Sequence, residues 1–558
     1  MKSSNFSNDC ALNKKSLAKL ICDREATMAE FATQSGDEDH TVSLKVLVNK
    51  ENNKVVFAEA GKEFVDVLLS FLTLPLGTIA RLVAKESNIQ PVKVGSLSTL
   101  YESVSQIEEK FLWIQTCKEM LLQPRNSMED YCQNIKLNID ETEPKSYYFC
   151  ENWLGCVVKP SLVSTFRNQR CGCAKLMNRV VRSLDILCLE NGFVKESASF
   201  LVSDDLYIMP NVFGASANLF LKLGIEDMDI LEEQIVDITK KEVVDLLKFS
   251  LISRTPMTDL ILRKKQYLGN FTPISQNLLE TGKIPSVEGR KMVVKIQIRK
   301  SNGKILFAEA EEEFVDFLLS FLTFPLGGVL HMVEGFSSVS CIDRLYGSLN
   351  ELSSDRYLIS QELKDKLTNP VCAPHFNLSN QILPIGVESF PCTYSYFGKS
   401  YNIVDPKSST GESSSILGFV KGPIMYMVTD DLVVTPMSSI SAVSYINTLK
   451  VPLFDLEERV ISIGVKEGLG ILKASLTSTF ALTEGLKHLI TPIEEKNGSI
   501  TSILFEVVKR ILTKCNFDHN VFGLSMVVSP KLWWHSLHLS KVLFHVKDHN
   551  KTIISNAV

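Results

Sequence analysis

The sequence predicts an α+β fold laid down twice in tandem, with small antiparallel or mixed sheets in each copy. Three features carry this prediction: a duplicated block, strand-like alternation at the head of each copy, and a helix-period apolar stripe directly after it. Residues 57–77 read FAEAGKEFVDVLLSFLTLPLG and residues 307–327 read FAEAEEEFVDFLLSFLTFPLG, a match at 17 of 21 positions with a constant offset of 250. Units of roughly 200 residues are duplicated domains rather than a solenoid, whose period is about 20–50 residues.

Each copy opens with strand, turn and strand. Val42 to Val48 alternates around Leu44 and Val46, Asn52-Asn53 supplies the turn, and Val55 to Ala58 returns. Phe64, Leu68, Phe71 and Leu72 then recur at helical spacing, with Lys62 and Asp66 off the stripe. Pro75-Leu76-Gly77, repeated as Pro325-Leu326-Gly327, stops that helix and starts another. The same break argues against a membrane span. Phe317 to Val333 lacks Asp, Glu, Lys and Arg and nearly reaches spanning length. Its Pro-Leu-Gly interruption and the acids Glu311 to Glu313 and Asp316 at its entrance fit a core helix, a turn and a second helix.

Further along, Gly192-Phe193-Val194-Lys195 returns as Gly418-Phe419-Val420-Lys421. A hairpin is expected from Lys195 to Val202, through a turn at Ser203-Asp204-Asp205, to Leu206 to Met209. Asp430-Asp431-Leu432 repeats that turn, where Asp is favoured because its carboxylate bonds neighbouring backbone N–H groups. An amphipathic helix from about Leu231 to Leu251, echoed from Leu456 through Lys248/Lys473, closes the unit.

The resulting organisation is a disordered N-terminal extension (1–39), a first repeat domain with a cysteine cluster (40–270), a linker (271–290), a shorter second repeat domain (291–492) and an atypical C-terminal tail (493–558). The net charge of −5 gives no global case for binding nucleic acid or an anionic membrane. The first 27 residues mix Lys2, Lys14, Lys15, Lys19 and Arg24 with Asp9, Asp23 and Glu25, and carry no apolar signal core. An intracellular protein, cytoplasmic or nuclear, is expected.

The blocks VSLKVLVNKENNKVVFAEA, FVDVLLSFLTLPLG, VSDDLYIMP and VDLLKFSLIS resemble those of the plant domain of unknown function 674 family. The resemblance covers roughly residues 40–490, and the segment after about Asn497, including Trp533-Trp534-His535, fits it poorly. It implies a plant protein of a multigene family, with the blocks in tandem and no established activity.

The cysteines carry the sharpest chemical signal. Of thirteen, Cys150, Cys156, Cys171 and Cys173 cluster in the first repeat as CENWLGCVVKPSLVSTFRNQRCGC. Two thiolate pairs separated by a loop are what a structural zinc site requires, since four soft ligands must converge tetrahedrally. Gly172 is expected to give the second pair its tight turn. Lys159, Arg167, Arg170, Lys175 and Arg179 surround the cluster, with no acid from Asn152 to Leu184, and positive charge favours thiolates. Against zinc, the intervening spacings are five residues and one, and the alternative is reduced thiols buried as small hydrophobes. The second repeat offers Cys372, His375 and Cys392, with no evident fourth ligand.

The basic stretch also raises a zinc-dependent nucleic-acid binder, with Trp153 and Phe166 as stacking residues. Catalytic signals are weak. No phosphate-binding Gly-rich loop, GxSxG elbow or HExxH helix occurs, and five of nine histidines (His519, His535, His538, His545, His549) fall in the tail. The expectation is a non-enzymatic binding or scaffold protein that takes protein partners and no membrane. Nucleic-acid binding is the alternative, and an enzyme comes third. Oligomeric state is not written in the sequence.

Overall fold

The computed structural model describes residues 40–142, 146–153, 155–156, 162–182, 192–262, 290–376, 378–387, 393–396, 399–407, 418–490, 546–548 and 551–553. The 1–39 extension, nearly all of the 271–290 linker and most of the tail, with all five of its histidines and Trp533-Trp534, lie outside them. Described residues up to Ile490 belong to one compact unit; the short hairpin Val546–Asp548 and Lys551–Ile553 belongs to a second.

The first copy runs β1 (Val42–Asn49), β2 (Lys54–Ala60), α1 (Lys62–Ser70), α2 (Leu76–Val83), α3 (Gly95–Gln106) and α4 (Gln115–Leu122). An insert follows, of β3 (Ser146–Cys150), β4 (Leu162–Ser164), β5 (Gln169–Arg170) and β6 (Leu176–Arg182). Then come β7 (Phe200–Ser203), β8 (Ile208–Pro210), α5 (Phe213–Leu223), β9 (Leu231–Ile238), α6 (Lys240–Ile252) and α7 (Pro256–Leu262). The second copy repeats the order as β10 (Met292–Arg299), β11 (Lys304–Ala310), α8 (Glu312–Ser320), α9 (Leu326–Met332), α10 (Ser340–Glu351) and α11 (Gln361–Thr368). It continues with β12 (Thr393–Tyr396), β13 (Lys399–Ile403), β14 (Tyr426–Thr429), β15 (Val434–Pro436), α12 (Ser439–Thr448), β16 (Leu456–Ile463), α13 (Val465–Thr477) and α14 (Ala481–Gly485). The α+β class holds.

Two five-stranded antiparallel sheets share one strand order, β8-β7-β2-β1-β9 and β15-β14-β11-β10-β16. Both place a register shift at the same point, between Leu47 and Val48 and between Gln297 and Ile298. The turn at Asn52-Asn53 forms as expected, with Asn53 left-handed and Gly303 in the matching place.

One expected element is corrected. Leu231 to Ile238 is an edge strand, not the first half of a helix, and Leu456 to Ile463 matches it. The helix starts only at Lys240, because Thr239 caps it: the Thr239 hydroxyl accepts from the Glu242 N–H and the Glu242 carboxylate accepts from the Thr239 N–H. Ahead of that cap, Gln234, Val236 and Ile238 lie inward and their neighbours outward, a strand's period of two. The first arm of the later hairpin is also shorter than expected, beginning at Phe200.

Phe64, Leu68, Phe71 and Leu72 are all fully buried, as their stripe predicts. The expected helix–turn–helix forms at α8 and α9, and no helix among the described residues is long and apolar enough to cross a membrane.

The repeated Pro-Leu-Gly turns do more than end a helix: they meet. Leu76 N–H donates to Phe324 O and Leu326 N–H donates to Leu74 O, both at 2.9 Å. A methyl added at Gly77 would lie 2.9 Å from Leu322 O, and one at Gly327 would lie 3.0 Å from Leu72 O. The pattern, i to j and j to i, is that of a two-fold interface. It recurs elsewhere. Trp113 N–H and Lys421 N–H pair with Phe419 O and Phe111 O; Ile359 N–H and Lys195 N–H pair with Phe193 O and Tyr357 O. Likewise α3 packs on α13 while α10 packs on α6. The copies therefore share one continuous hydrophobic core.

Candidate metal centre

The insert builds a third sheet of order β12-β13-β4-β3-β6-β5. Its strands β3 to β6 come from the first copy and β12 and β13 from the second. They join where β13 runs parallel to β4, Asn402 opposite Leu162 and Ile403 opposite Val163. On one face Tyr147, Phe149, Val163 and Tyr401 form a small core; on the other, Tyr148 and Met177 pack with all four clustered cysteines. The sheet is tied down through His375, buried, whose Nε2 lies 2.9 Å from the Thr165 hydroxyl beside β4.

Local hydrogen bonding sets the cysteines. Cys150 ends β3, and a turn closed by Gly155 N–H to Asn152 O carries the chain to Cys156. Cys171 and Cys173 sit at the tip of the β5–β6 hairpin, closed by Cys171 N–H to Lys175 O and Ala174 N–H to Cys171 O, each 2.8 Å. The left-handed residues of this hairpin are Asn168 and Ala174, not Gly172 as the sequence suggested, so the glycine is not what makes the turn tight.

The four Sγ atoms converge. All lie within 4.8 Å of one another, with Cys150–Cys173 at 3.5 Å and Cys156–Cys171 at 3.6 Å. A disulfide needs about 2.05 Å. Zinc–thiolate bonds of about 2.3 Å set tetrahedral sulfur–sulfur edges of about 3.8 Å. The cluster could therefore hold a metal ion, and its donor set of four thiolates selects a soft one. Backbone N–H groups two residues downstream point at three sulfurs: Asn152 at Cys150, Cys173 at Cys171 and Lys175 at Cys173. Bonds of this kind stabilise thiolate charge and orient a ligand. The Lys175 N–H and the Cys150 thiol bring Cys173 down to about 7, whereas burial pushes Cys171 up to about 12.

Cys117, Cys132, Cys341 and Cys372 are singly buried, and burial pushes each up to about 12. The Cys372 thiol faces Thr323 O while His375 turns to Thr165, so these two do not converge, and Cys392 lies outside the described residues.

The two proposed stacking residues are committed to packing. Phe166 is buried, edge-on to His375 and under the Arg125 guanidinium. Trp153 packs against Phe149 with Arg179 over its ring.

The repeated Asp pairs have structural partners. The Asp204 carboxylate accepts from Thr258 N–H at 2.8 Å and Oγ1 at 2.7 Å, and the same Oγ1 accepts from Val55 N–H. Asp430, Thr483 and Ile305 repeat this chain at the same distances. Each hairpin turn thus latches its own closing helix and second strand.

Sequence reasoning missed Asp66 and Asp316. Each lies off its stripe yet is buried, accepting from the N–H groups of Phe193 and Val194 or of Phe419 and Val420 at 2.7–3.0 Å. A methyl at Gly192 or Gly418 would lie 1.9 or 1.5 Å from that carboxylate, so glycine is required at both. The signal was present as an acid and a Gly-Phe-Val-Lys string repeated in both copies.

A family model described as a protein of unknown function (DUF674) matches residues 38–486. No curated protein and no solved structure matches the chain.

Proposed function

The chain belongs to the DUF674 family, and from its own residues we propose that it is a non-enzymatic binding or scaffold protein whose first-copy insert is stapled by a structural zinc. Cys150, Cys156, Cys171 and Cys173 are the proposed ligands, and the observation that carries the reading is their convergence, with all four sulfurs within 4.8 Å of one another. Zinc suits four thiolates with no open position, which describes a structural rather than a catalytic site. Among the described residues the apolar clusters within the β3–β6 insert are small, so a cross-link would add to the few ties that Thr165 and Phe166 make to the main core. The latch geometry of Asp204 and Asp430 supports a scaffold, since it gives both acid pairs a purpose other than catalysis.

Protein partners are proposed for the outer helices. α5 and α12 cover the outer sheet faces, yet leave Phe213 and Leu221, and Ile440 and Val443, exposed to solvent. Clustered exposed apolar side chains of this kind mark interaction surfaces.

Metal analysis of the full chain tests the zinc. The expected result is about one zinc per chain, lost in Cys171→Ser/Cys173→Ser. Folded, metal-free parent protein would overturn it, and robust turnover in a broad hydrolase and transferase screen would overturn the non-enzymatic reading.

A further inference from the structure

The β5–β6 hairpin that carries two of the cysteines also carries Arg167, Arg170, Lys175 and Arg179, all exposed. None of the four pairs with a carboxylate among the described residues. Glu151, the acid that precedes the cluster in sequence, accepts instead from the Asn178 amide at 2.7 Å. This is unlike the rest of a chain whose net charge is −5.

Strand geometry gathers the charge. Gln169 lies opposite Met177 and Arg170 opposite Leu176. Met177 is buried among the cysteines, so pleating turns Leu176 and Arg170 to the other face. The register shift between Phe149 and Cys150 then brings Arg179 to that same face, where its guanidinium lies 5.0 Å over the Trp153 ring. Arg167 and Lys175 stand at the hairpin's two ends. Neutralising the cysteine site does not account for the excess. Four thiolates around a divalent ion leave two negative charges, so four cations over-compensate.

We propose that this hairpin face docks the phosphodiester backbone of a duplex nucleic acid. Unpaired guanidinium and ammonium groups at strand spacing are what phosphate recognition uses. A duplex is favoured over a single strand because the two rings that flank this hairpin in sequence are engaged, Phe166 by burial and Trp153 by the Arg179 guanidinium over it. The proposal goes beyond the zinc reading, which serves here only to hold the hairpin.

The test is fluorescence anisotropy of fluorescein-labelled duplex DNA, duplex RNA and a single strand with the full chain, over a salt series and with zinc content measured on the same samples. Four neutralised phosphates give log K against log salt a slope of about −3.6 on a duplex. Arg170→Ala/Arg179→Ala and, separately, Arg167→Ala/Lys175→Ala should each lower that slope by about two, with melting temperature unchanged. No binding to either duplex at low salt, slopes unchanged in both variants, or tighter binding to the single strand would each overturn the proposal. The DNA and RNA arms identify the source. Failure in a zinc-loaded protein leaves the zinc reading standing, and success in a metal-free one removes it.

Discussion

Between α4 and β7 the first copy carries four strands and four converging cysteines, whereas between α11 and β14 the second copy supplies two described strands that join the first copy's sheet. The five-stranded sheets on either side of these segments match in strand order, register shift and latch. The difference has a physical origin. Elements at the two-fold contact are constrained twice, once by their own core and once by the other copy. The Gly77 and Gly327 turns cannot gain a methyl without meeting a carbonyl across the contact. The inserts hang from one parallel pairing and a few side-chain ties, so they are free to diverge.

Removing metal should sharpen that contrast most. A chelator added to the full chain is expected to speed amide exchange in β3 to β6 by at least ~100-fold, because structural zinc binding is itself folding free energy. Exchange in β1, β2, β10 and β11 should stay as it was. Cys372→Ser, in the second copy, should leave zinc content intact and cost about 1 kcal/mol, as an ordinary core change does. Zinc loss in Cys372→Ser, or uniform loosening on chelation, would break the distinction between stapled insert and self-sufficient core.

The matched scaffold was legible because its signals are local: alternation in Val42 to Val48, the stripe through Phe64 and Leu68, and the Pro-Leu-Gly stops. The cysteine set was legible because its four members lie within one short stretch. The boundary between β9 and α6 was misplaced since Leu231 to Ile238 also suits a helical face, and only the Thr239 cap decides. The two-fold contact was not legible at all. Nothing in Leu74 or Phe324 says that each will accept the other copy's N–H, because that pairing joins residues far apart along the chain, one from each copy.

A second difference lies within the matched scaffold. Asp66 pairs with Lys62 at 2.7 Å, but the position equivalent to Lys62 is Glu312. Burial raises both aspartates. Asp316, with its two backbone N–H bonds outweighed and Glu312 adding to the rise, reaches about 7, while Lys62 opposes the rise at Asp66. Asp316 starts from 3.8 in the unfolded chain, so between about pH 4 and 7 the folded state holds a proton the unfolded state has lost, and stability falls as pH rises. Asp316→Asn keeps an oxygen for both N–H groups and cannot ionise. It should flatten the pH dependence in that window and match or exceed the parent's stability at pH 8. Asp66→Asn leaves Lys62 without its carboxylate and should cost about 2 kcal/mol at pH 7. Thermal melts across pH check both, and equal effects of the two variants would remove the distinction.

The smallest expected difference is none, and it tests whether matched geometry means matched energy. Asp204 and Asp430 each accept at 2.8 and 2.7 Å from a threonine N–H and hydroxyl, and burial lifts each from 3.8 to about 6. An asparagine oxygen can still accept from the N–H. Its NH2 group cannot accept from the Thr258 or Thr483 hydroxyl, so the bond that hydroxyl donates to the carboxylate is lost. Asp204→Asn and Asp430→Asn should therefore each cost about 1 kcal/mol at pH 5. The sign of the pH effect is again the same: a raised folded value makes stability fall between about pH 4 and 6, and both variants should lose that fall equally. The cost at pH 7 should accordingly be smaller than at pH 5 in both. If denaturant melts separate the two variants by more than about 1 kcal/mol, well beyond the usual scatter for equivalent sites, then the first copy's four-stranded insert reaches energetically into the hairpin beside it.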